Sequence, residues 1–178
     1  MTFVTIAEAQ AAASRATART YKTAATLLNE QSKSARESFD VFLSHSYMDK
    51  EIVLGAKQLL EERNLVVYVD WIDDRELSRD DVNPDTAARL KRRMGQSAAL
   101  FYLHSPNAQR SKWMPWELGY FDALKGKVAI FPLAISQSSP MTGQEYLGLY
   151  PWVDLTASSV WLNKPGGFKS FTEWPARW

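Results

Sequence analysis

The segment Phe39-Asp-Val-Phe-Leu-Ser44 is a short, nearly continuous apolar run, which is typical of a strand buried on both faces of a sheet. Apolar residues then recur at helical spacing between Asp49, a suitable helix-capping residue, and Asn64, a suitable stop. A second apolar run, Leu65-Val-Val-Tyr-Val-Asp70, follows at once. The three segments together predict a strand, a helix and a second parallel strand.

The same alternation continues downstream. It predicts a helix that begins at Asn83-Pro84 and turns Ala87, Leu90 and Met94 inward, and a second helix over 111–125 that Gly126 closes. It also predicts strands over 98–104, 127–133 and 152–155. Alternating strands and helices favour an α/β fold with a five-stranded parallel sheet, helices on both faces and the flavodoxin-like strand order 2-1-3-4-5. In that order the first and third strands are neighbours, and ligands bind at their carboxyl ends.

Two further regions flank this core. Residues 1–37 contain no glycine or proline and many alanines, which predicts an N-terminal helical extension packed on the domain or on a second subunit. Residues 38–178 form the domain itself. Its C-terminal region is atypical, because Pro165-Gly166-Gly167 interrupts it and no long final helix is evident.

Composition narrows the classes of function. The 178 residues include 21 Lys and Arg against 20 Asp and Glu, a formal charge of +1, which argues against a nucleic-acid binder and a polybasic membrane-surface protein. The absence of cysteine excludes disulfides, thiolate metal sites and cysteine nucleophiles, and no segment is apolar enough to span a bilayer. We expect a cytoplasmic protein.

Both histidines, His45 and His104, follow adjacent strands of the predicted sheet, so they mark a polar rim. Each is more simply explained as a structural histidine, and two histidines without cysteine do not predict a metal site. The acidic stretch between Asp70 and Asp81 lacks the spacing of a calcium loop, and no glycine-rich phosphate loop occurs.

Glu117 is the most informative carboxylate. It lies four residues after Trp113, on the same face of the predicted helix, and Pro115 places both in the first turns, beside the carboxyl ends of the strands. Trp113 and Trp116 would give the carboxylate apolar walls. A first-turn glutamate stabilised by the helix dipole explains the spacing equally well.

Four motifs in order resemble Toll/interleukin-1 receptor (TIR) domains over roughly residues 38–135. They are Phe39-Asp-Val-Phe-Leu-Ser-His-Ser46, the second strand ending at Asp70, the run from Ser97 to Asn107, and Trp113-x-x-x-Glu117-Leu118. The resemblance is closest to short bacterial members that serve in antiphage defence, including the Thoeris system. It implies a flavodoxin-like TIR fold in which the loop at 71–83 borders the pocket and mediates assembly.

Catalytic members of this family cleave NAD+ between nicotinamide and ribose, and some cyclise the product. The resemblance implies that Glu117 is the catalytic residue and that His45, Ser46 and Tyr47 line the pocket, with Trp71 and Trp113 as further substrate-binding residues. NAD+ would be the substrate, with no cofactor and no metal. The resemblance also implies two partners: a second copy of the chain, in a homo-oligomer formed through 71–83, and a downstream effector that senses the product.

The chemistry agrees with a single carboxylate. Glycosidases usually need a second one to protonate a poor leaving group, but nicotinamide leaves NAD+ as a neutral molecule. One ionised carboxylate can therefore stabilise the developing ribosyl cation. The sequence favours an NAD+ nucleosidase or ADP-ribosyl cyclase. Two alternatives remain open: a non-enzymatic TIR adaptor, and a nucleoside deoxyribosyltransferase-like enzyme with Glu117 as nucleophile.

Overall fold

The computed structural model describes residues 3–32, 36–70, 84–134 and 144–175. In chain order, its strands are β1 (Val4–Thr5), β2 (Phe39–Ser44), β3 (Val67–Tyr68), β4 (Ser97–His104), β5 (Val128–Ala134), β6 (Trp152–Leu155), β7 (Val160–Lys164) and β8 (Gly167–Ser170). Its α-helices are α1 (Ile6–Thr20), α2 (Ala24–Ser32), α3 (Lys50–Glu61), α4 (Pro84–Gly95) and α5 (Trp113–Lys125).

These strands form one mainly parallel sheet in the order β3-β2-β4-β5-β6-β7-β8, with β1 paired to β5. The first five of these are parallel and correspond to the predicted order 2-1-3-4-5, so the predicted fold class is confirmed. The sheet also has three short strands, β1, β7 and β8, that the sequence did not predict. Strands β6, β7 and β8 are antiparallel, so the C-terminal region extends the sheet as a meander.

The central strands are buried on both faces, and their residues alternate between two apolar clusters. Val41, Phe101 and Phe131 face the layer that contains α1, α2 and α3. Phe42 and Leu100 face the layer that contains α4 and α5. Residues two apart on a strand share a face, so this alternation decides which polar residues at the strand ends can meet α5.

The N-terminal segment packs directly on this domain. Thr5 and Glu8 form a reciprocal capping box that starts α1, and Val4 pairs with Leu133 of β5. The buried side of α1 consists of alanines, which lets it approach α3 closely at Gly55. A β carbon placed on Gly55 would lie 1.8 Å from the Ala9 carbonyl oxygen.

Gly126 ends α5 as predicted, whereas α3 ends at Glu61, three residues before its predicted stop, Asn64. Asn64 and Gly126 both have positive φ, 63° and 66°, as residues that end helices often do. The predicted capping role of Asp49 is wrong: this residue does precede α3, but its side chain makes no capping hydrogen bond. Its carboxylate instead bonds Ser105 and Asn107, which follow β4. No helix among the described residues is long and apolar enough to cross a membrane.

Candidate active site

Glu117 lies at the carboxyl edge of the sheet, where the sequence predicts a ligand site. Its carboxylate accepts a hydrogen bond from the Ser44 hydroxyl, with 2.5 Å between Oγ and Oε2. Ser44 is the last residue of β2, and both side chains are buried, Glu117 with 6% of its surface exposed. A hydrogen bond to an ionised carboxylate is shorter and stronger than one between neutral groups, so this contact fixes the position of the carboxylate.

The two tryptophans near Glu117 have different surroundings. Trp113 is buried one helical turn before Glu117, so both residues belong to the face of α5 that covers the sheet. Trp116 contacts Trp113 edge to face but stacks on Tyr120, with 5.6 Å between the ring centroids and 16° between the planes. The Lys91 ammonium lies over both stacked rings. Trp113 is therefore the tryptophan that faces inward with Glu117.

The residues after Ser44 form a tight turn beside this carboxylate. His45 and Ser46 are buried, whereas Tyr47 has 42% of its surface exposed. The Nδ1 atom of His45 lies 2.9 Å from the Leu43 carbonyl oxygen, and because a carbonyl only accepts, Nδ1 carries the proton. The Ser46 hydroxyl accepts a hydrogen bond from the backbone N–H of Met48. Of these three predicted binding residues, Tyr47 presents the most side-chain surface.

A second buried carboxylate follows that turn. Asp49, with 5% of its surface exposed, accepts a hydrogen bond from the Ser105 hydroxyl on Oδ2 and one from the Asn107 amide on Oδ1. Ser105 and Asn107 follow β4, so Asp49 connects the segment after β2 to the segment after β4. It is this contact that replaces the predicted helix cap.

Two tyrosines extend the polar surroundings of Glu117. Tyr102 of β4 pairs in register with Ser44, and burial, the hydrogen bond to Tyr146 and the charge of Glu117 all raise the pKa of its phenol. The Tyr146 hydroxyl in turn bonds the Gln144 side chain. A segment that follows β5 thus reaches the same edge of the sheet as Glu117.

A family model for TIR domains matches residues 41–164. The chain belongs to the TIR family. It is 46% identical over 132 residues to a Bacillus cereus (strain MSX-D12) protein named as a probable 3' cyclic ADP-D-ribose synthase, ThsB', covering 70% of this chain and 68% of the relative. It is 32% identical over 86 residues to a Cytobacillus dafuensis protein named as a candidate cyclic ADP-D-ribose synthase, TIR2, covering 48% of this chain and 23% of the relative.

In this TIR domain, the loop at 71–83 and its Trp71 lie outside the described residues, so their predicted roles remain predictions. Asp70, which precedes this loop, is held by two side chains. The Asp70 carboxylate accepts a hydrogen bond from the Tyr68 hydroxyl at 3.1 Å and pairs with Arg89 of α4 at 3.4 Å. This ion pair links the residue that follows β3 to α4.

Sequence reasoning did not single out Ser44, Tyr102 or the partners of Asp49 for this TIR domain. The signal for Ser44 and Tyr102 is strand alternation: Ser44 shares a face with Phe42, and Tyr102 shares one with Leu100, toward α5. No comparable periodicity marks Ser105 and Asn107, because they follow the strand. Among the described residues, no group of three or more histidines and carboxylates is placed to hold a metal ion.

Proposed function

We propose that this TIR domain cleaves NAD+ between nicotinamide and ribose and releases ADP-ribose or a cyclic ADP-ribose isomer. The single observation that carries the proposal is the buried Glu117 carboxylate, fixed by Ser44 at the carboxyl edge of the sheet. The 46% identity to the relative named as a cyclic ADP-D-ribose synthase supports the same reaction. In this proposal NAD+ is the substrate, and neither a cofactor nor a metal ion takes part.

The proposed mechanism needs one negative charge near the anomeric carbon. As the bond to nicotinamide lengthens, positive charge develops on the ribose ring, and an oriented carboxylate stabilises it. The Ser44 hydroxyl already fixes one oxygen of Glu117, so little reorganisation is required when the charge develops. Burial beside Trp113 lowers the local dielectric and strengthens the attraction.

The fate of the ribosyl cation decides the product. Attack by water gives ADP-ribose, and attack by a nucleophile of the same dinucleotide closes a ring. Because the relative from Bacillus cereus is named as a 3' cyclic ADP-D-ribose synthase, we propose ring closure in this chain as well. His45, Ser46, Tyr47, Trp71 and Trp113 are the residues proposed to hold the dinucleotide for either outcome.

Three parts of the proposal concern the setting of the reaction. A homo-oligomer would form through the loop at 71–83, which would border the pocket. A downstream effector would sense the cyclic product as a defence signal. The reaction would take place in the cytoplasm, where NAD+ is available.

The decisive experiment compares wild type with Glu117→Gln during incubation with NAD+, with chromatography and mass analysis of the products. Glutamine keeps the shape but removes the charge, so we expect nicotinamide release to fall at least about a hundredfold. Asp122→Asn is the matched control, because Asp122 is also a carboxylate of α5 but bonds Tyr150, and its turnover should equal that of wild type. Added EDTA should leave the rate unchanged.

Equal turnover by wild type and Glu117→Gln would refute the proposed role of Glu117. Two other outcomes would favour the alternatives. Cleavage of deoxynucleosides in preference to NAD+ would indicate a deoxyribosyltransferase-like enzyme. No turnover in any assembly state, together with loss of partner binding on charge reversal within 71–83, would indicate an adaptor.

A further inference from the structure

Asp49 is a buried carboxylate that the proposed mechanism does not use. It directly follows the turn at 45–48, which carries three of the residues proposed to bind the dinucleotide, and it precedes α3. A residue at this position usually caps the helix with its side chain, yet the Asp49 carboxylate makes no capping bond. Its contacts therefore need another explanation.

The Asp49 contacts connect the segment after β2 to the segment after β4. Both carboxylate oxygens are used: Asn107 Nδ2 lies 2.7 Å from Oδ1, and the Ser105 hydroxyl bonds Oδ2. The donors are neutral, and Ser105 is as buried as Asp49. Short hydrogen bonds on both oxygens hold a buried carboxylate in a single orientation. The segment after β4 therefore sets the position of the Asp49 side chain.

The backbone transmits this position to the binding turn. The Asp49 N–H donates to the Ser46 carbonyl at 3.2 Å, and the Met48 N–H donates to the Ser46 hydroxyl at 3.4 Å. These two bonds close the turn on itself around Ser46. The turn therefore has two anchors, Ser44 on the catalytic carboxylate and Asp49 on the segment after β4.

We propose that Asp49 is a positioning residue, which holds the turn at 45–48 in the geometry that binds the dinucleotide through its bonds to Ser105 and Asn107. This inference rests on the proposed function. Asp49 is buried with 5% of its surface exposed, and both of its oxygens bond residues after β4, so we infer that it acts through the turn. Its loss should weaken substrate binding and leave the bond-breaking step, which depends on Glu117, nearly unchanged.

The test compares kcat and KM for NAD+ in wild type, Asp49→Ala and Asp49→Asn. We expect Asp49→Ala to raise KM about tenfold or more with kcat within about threefold, the pattern of lost binding contacts. Asparagine has the same shape; its carbonyl can accept from Asn107 and its amide can donate to Ser105, whose hydroxyl rotates. Asp49→Asn should therefore restore KM to within about threefold of wild type.

The matched control is Asp40→Ala, on the same strand as Ser44 but at the opposite end. The Asp40 carboxylate accepts the backbone N–H of Val66 at 2.7 Å, so this variant also removes a hydrogen-bonded aspartate. Its KM should equal that of wild type. Should Asp49→Ala fail to fold, Ser105→Ala decides the question: a rise in KM supports the proposal, and an unchanged KM overturns it.

Hydrogen exchange of the backbone amides at 46–49 provides a readout that needs no turnover. Exchange should be at least about tenfold faster in Asp49→Ala than in wild type. If wild type releases no nicotinamide, the proposed function fails, while exchange still decides whether Asp49 fixes the turn. An unchanged exchange rate, an unchanged KM, or an Asp49→Asn variant as defective as Asp49→Ala would overturn the inference.

Discussion

Gly55 lies where α1 crosses α3 and leaves no space for a side chain. A β carbon there would lie 1.8 Å from the carbonyl oxygen of Ala9 and 2.5 Å from its carbonyl carbon. Ordinary contact begins near 3.4 Å, so α1 would have to move by more than about 1.5 Å. The obstacle is backbone in a helix rather than the end of a flexible side chain, so the movement shifts a whole element.

The expected cost of Gly55→Ala follows from two opposing effects. Overpacking a close contact costs typically about 1–3 kcal/mol, and a backbone overlap this large belongs at or above the upper limit. Alanine returns about 1 kcal/mol through its higher helix propensity. We therefore expect the free energy of unfolding to fall by at least about 2 kcal/mol, which lowers Tm by roughly 4–8 °C in a protein of this size.

Urea and thermal unfolding, followed by circular dichroism, measure this change. Gly119→Ala is the matched control, since Gly119 lies within α5 and a β carbon there would meet nothing within 4 Å. That variant should gain up to about 1 kcal/mol. If Gly55→Ala were as stable as Gly119→Ala, the close approach of α1 to α3 would be wrong, and with it the account of the N-terminal segment as part of this domain's packing.

Two further predictions concern single hydroxyl groups. Ser44→Ala removes a hydrogen bond to a charged group, worth about 1.5–3 kcal/mol, so steady-state kinetics with NAD+ should show kcat lower by roughly tenfold to a hundredfold. The control is Ser97→Ala, which removes a buried hydroxyl that donates to the Arg93 carbonyl at the other end of the sheet and should keep the wild-type kcat. An unchanged kcat in Ser44→Ala would contradict the orienting role of Ser44. Burial and the neighbouring Asp122 raise the pKa of Tyr150 from 10.0 to about 12, so the unfolded chain loses this proton first and the free energy of unfolding falls as pH rises from 10 to about 12. In urea unfolding at several pH values, the free energy of unfolding of Tyr150→Phe should fall less steeply over this range. An equally steep fall in wild type and variant would refute the role of Tyr150.

Elements with a strong period could be predicted from the sequence, whereas short ones could not. The strand at 152–155 has its predicted bounds, and that at 127–133 is displaced by one residue. The predicted strand at 65–70 is only Val67–Tyr68. The two residues of β1 are too few to show a period. The sequence predicts a break at Pro165-Gly166, but these two residues form the turn between β7 and β8, where Gly166 adopts a φ of 92°.

In the candidate site, likewise, residue spacing predicted neighbours on one helix but not contacts between loops. Helical spacing placed Trp113 and Glu117 on one face, and the structure places them so. No spacing could reveal that the Asp49 carboxylate leaves its helix for Ser105 and Asn107, because that contact depends on how far two loops extend beyond neighbouring strands. Hydrogen bonds between side chains of different loops can therefore be identified only once the chain is folded.

The hydroxyl of Ser44 as a partner of Glu117 has a consequence for the proposed mechanism. A lysine or arginine at the position of Ser44 would orient the carboxylate but would also neutralise part of the charge that the ribosyl cation needs. A serine hydroxyl donates one hydrogen bond and carries no net charge, so Ser44 orients one oxygen of Glu117 without adding a positive charge beside it. The Asp49 cluster shares no residue with this pair. In the proposed mechanism, the orientation of the Glu117 charge and the position of the turn at 45–48 therefore depend on separate side chains, so substitutions at Ser44 and at Asp49 should change kcat and KM independently.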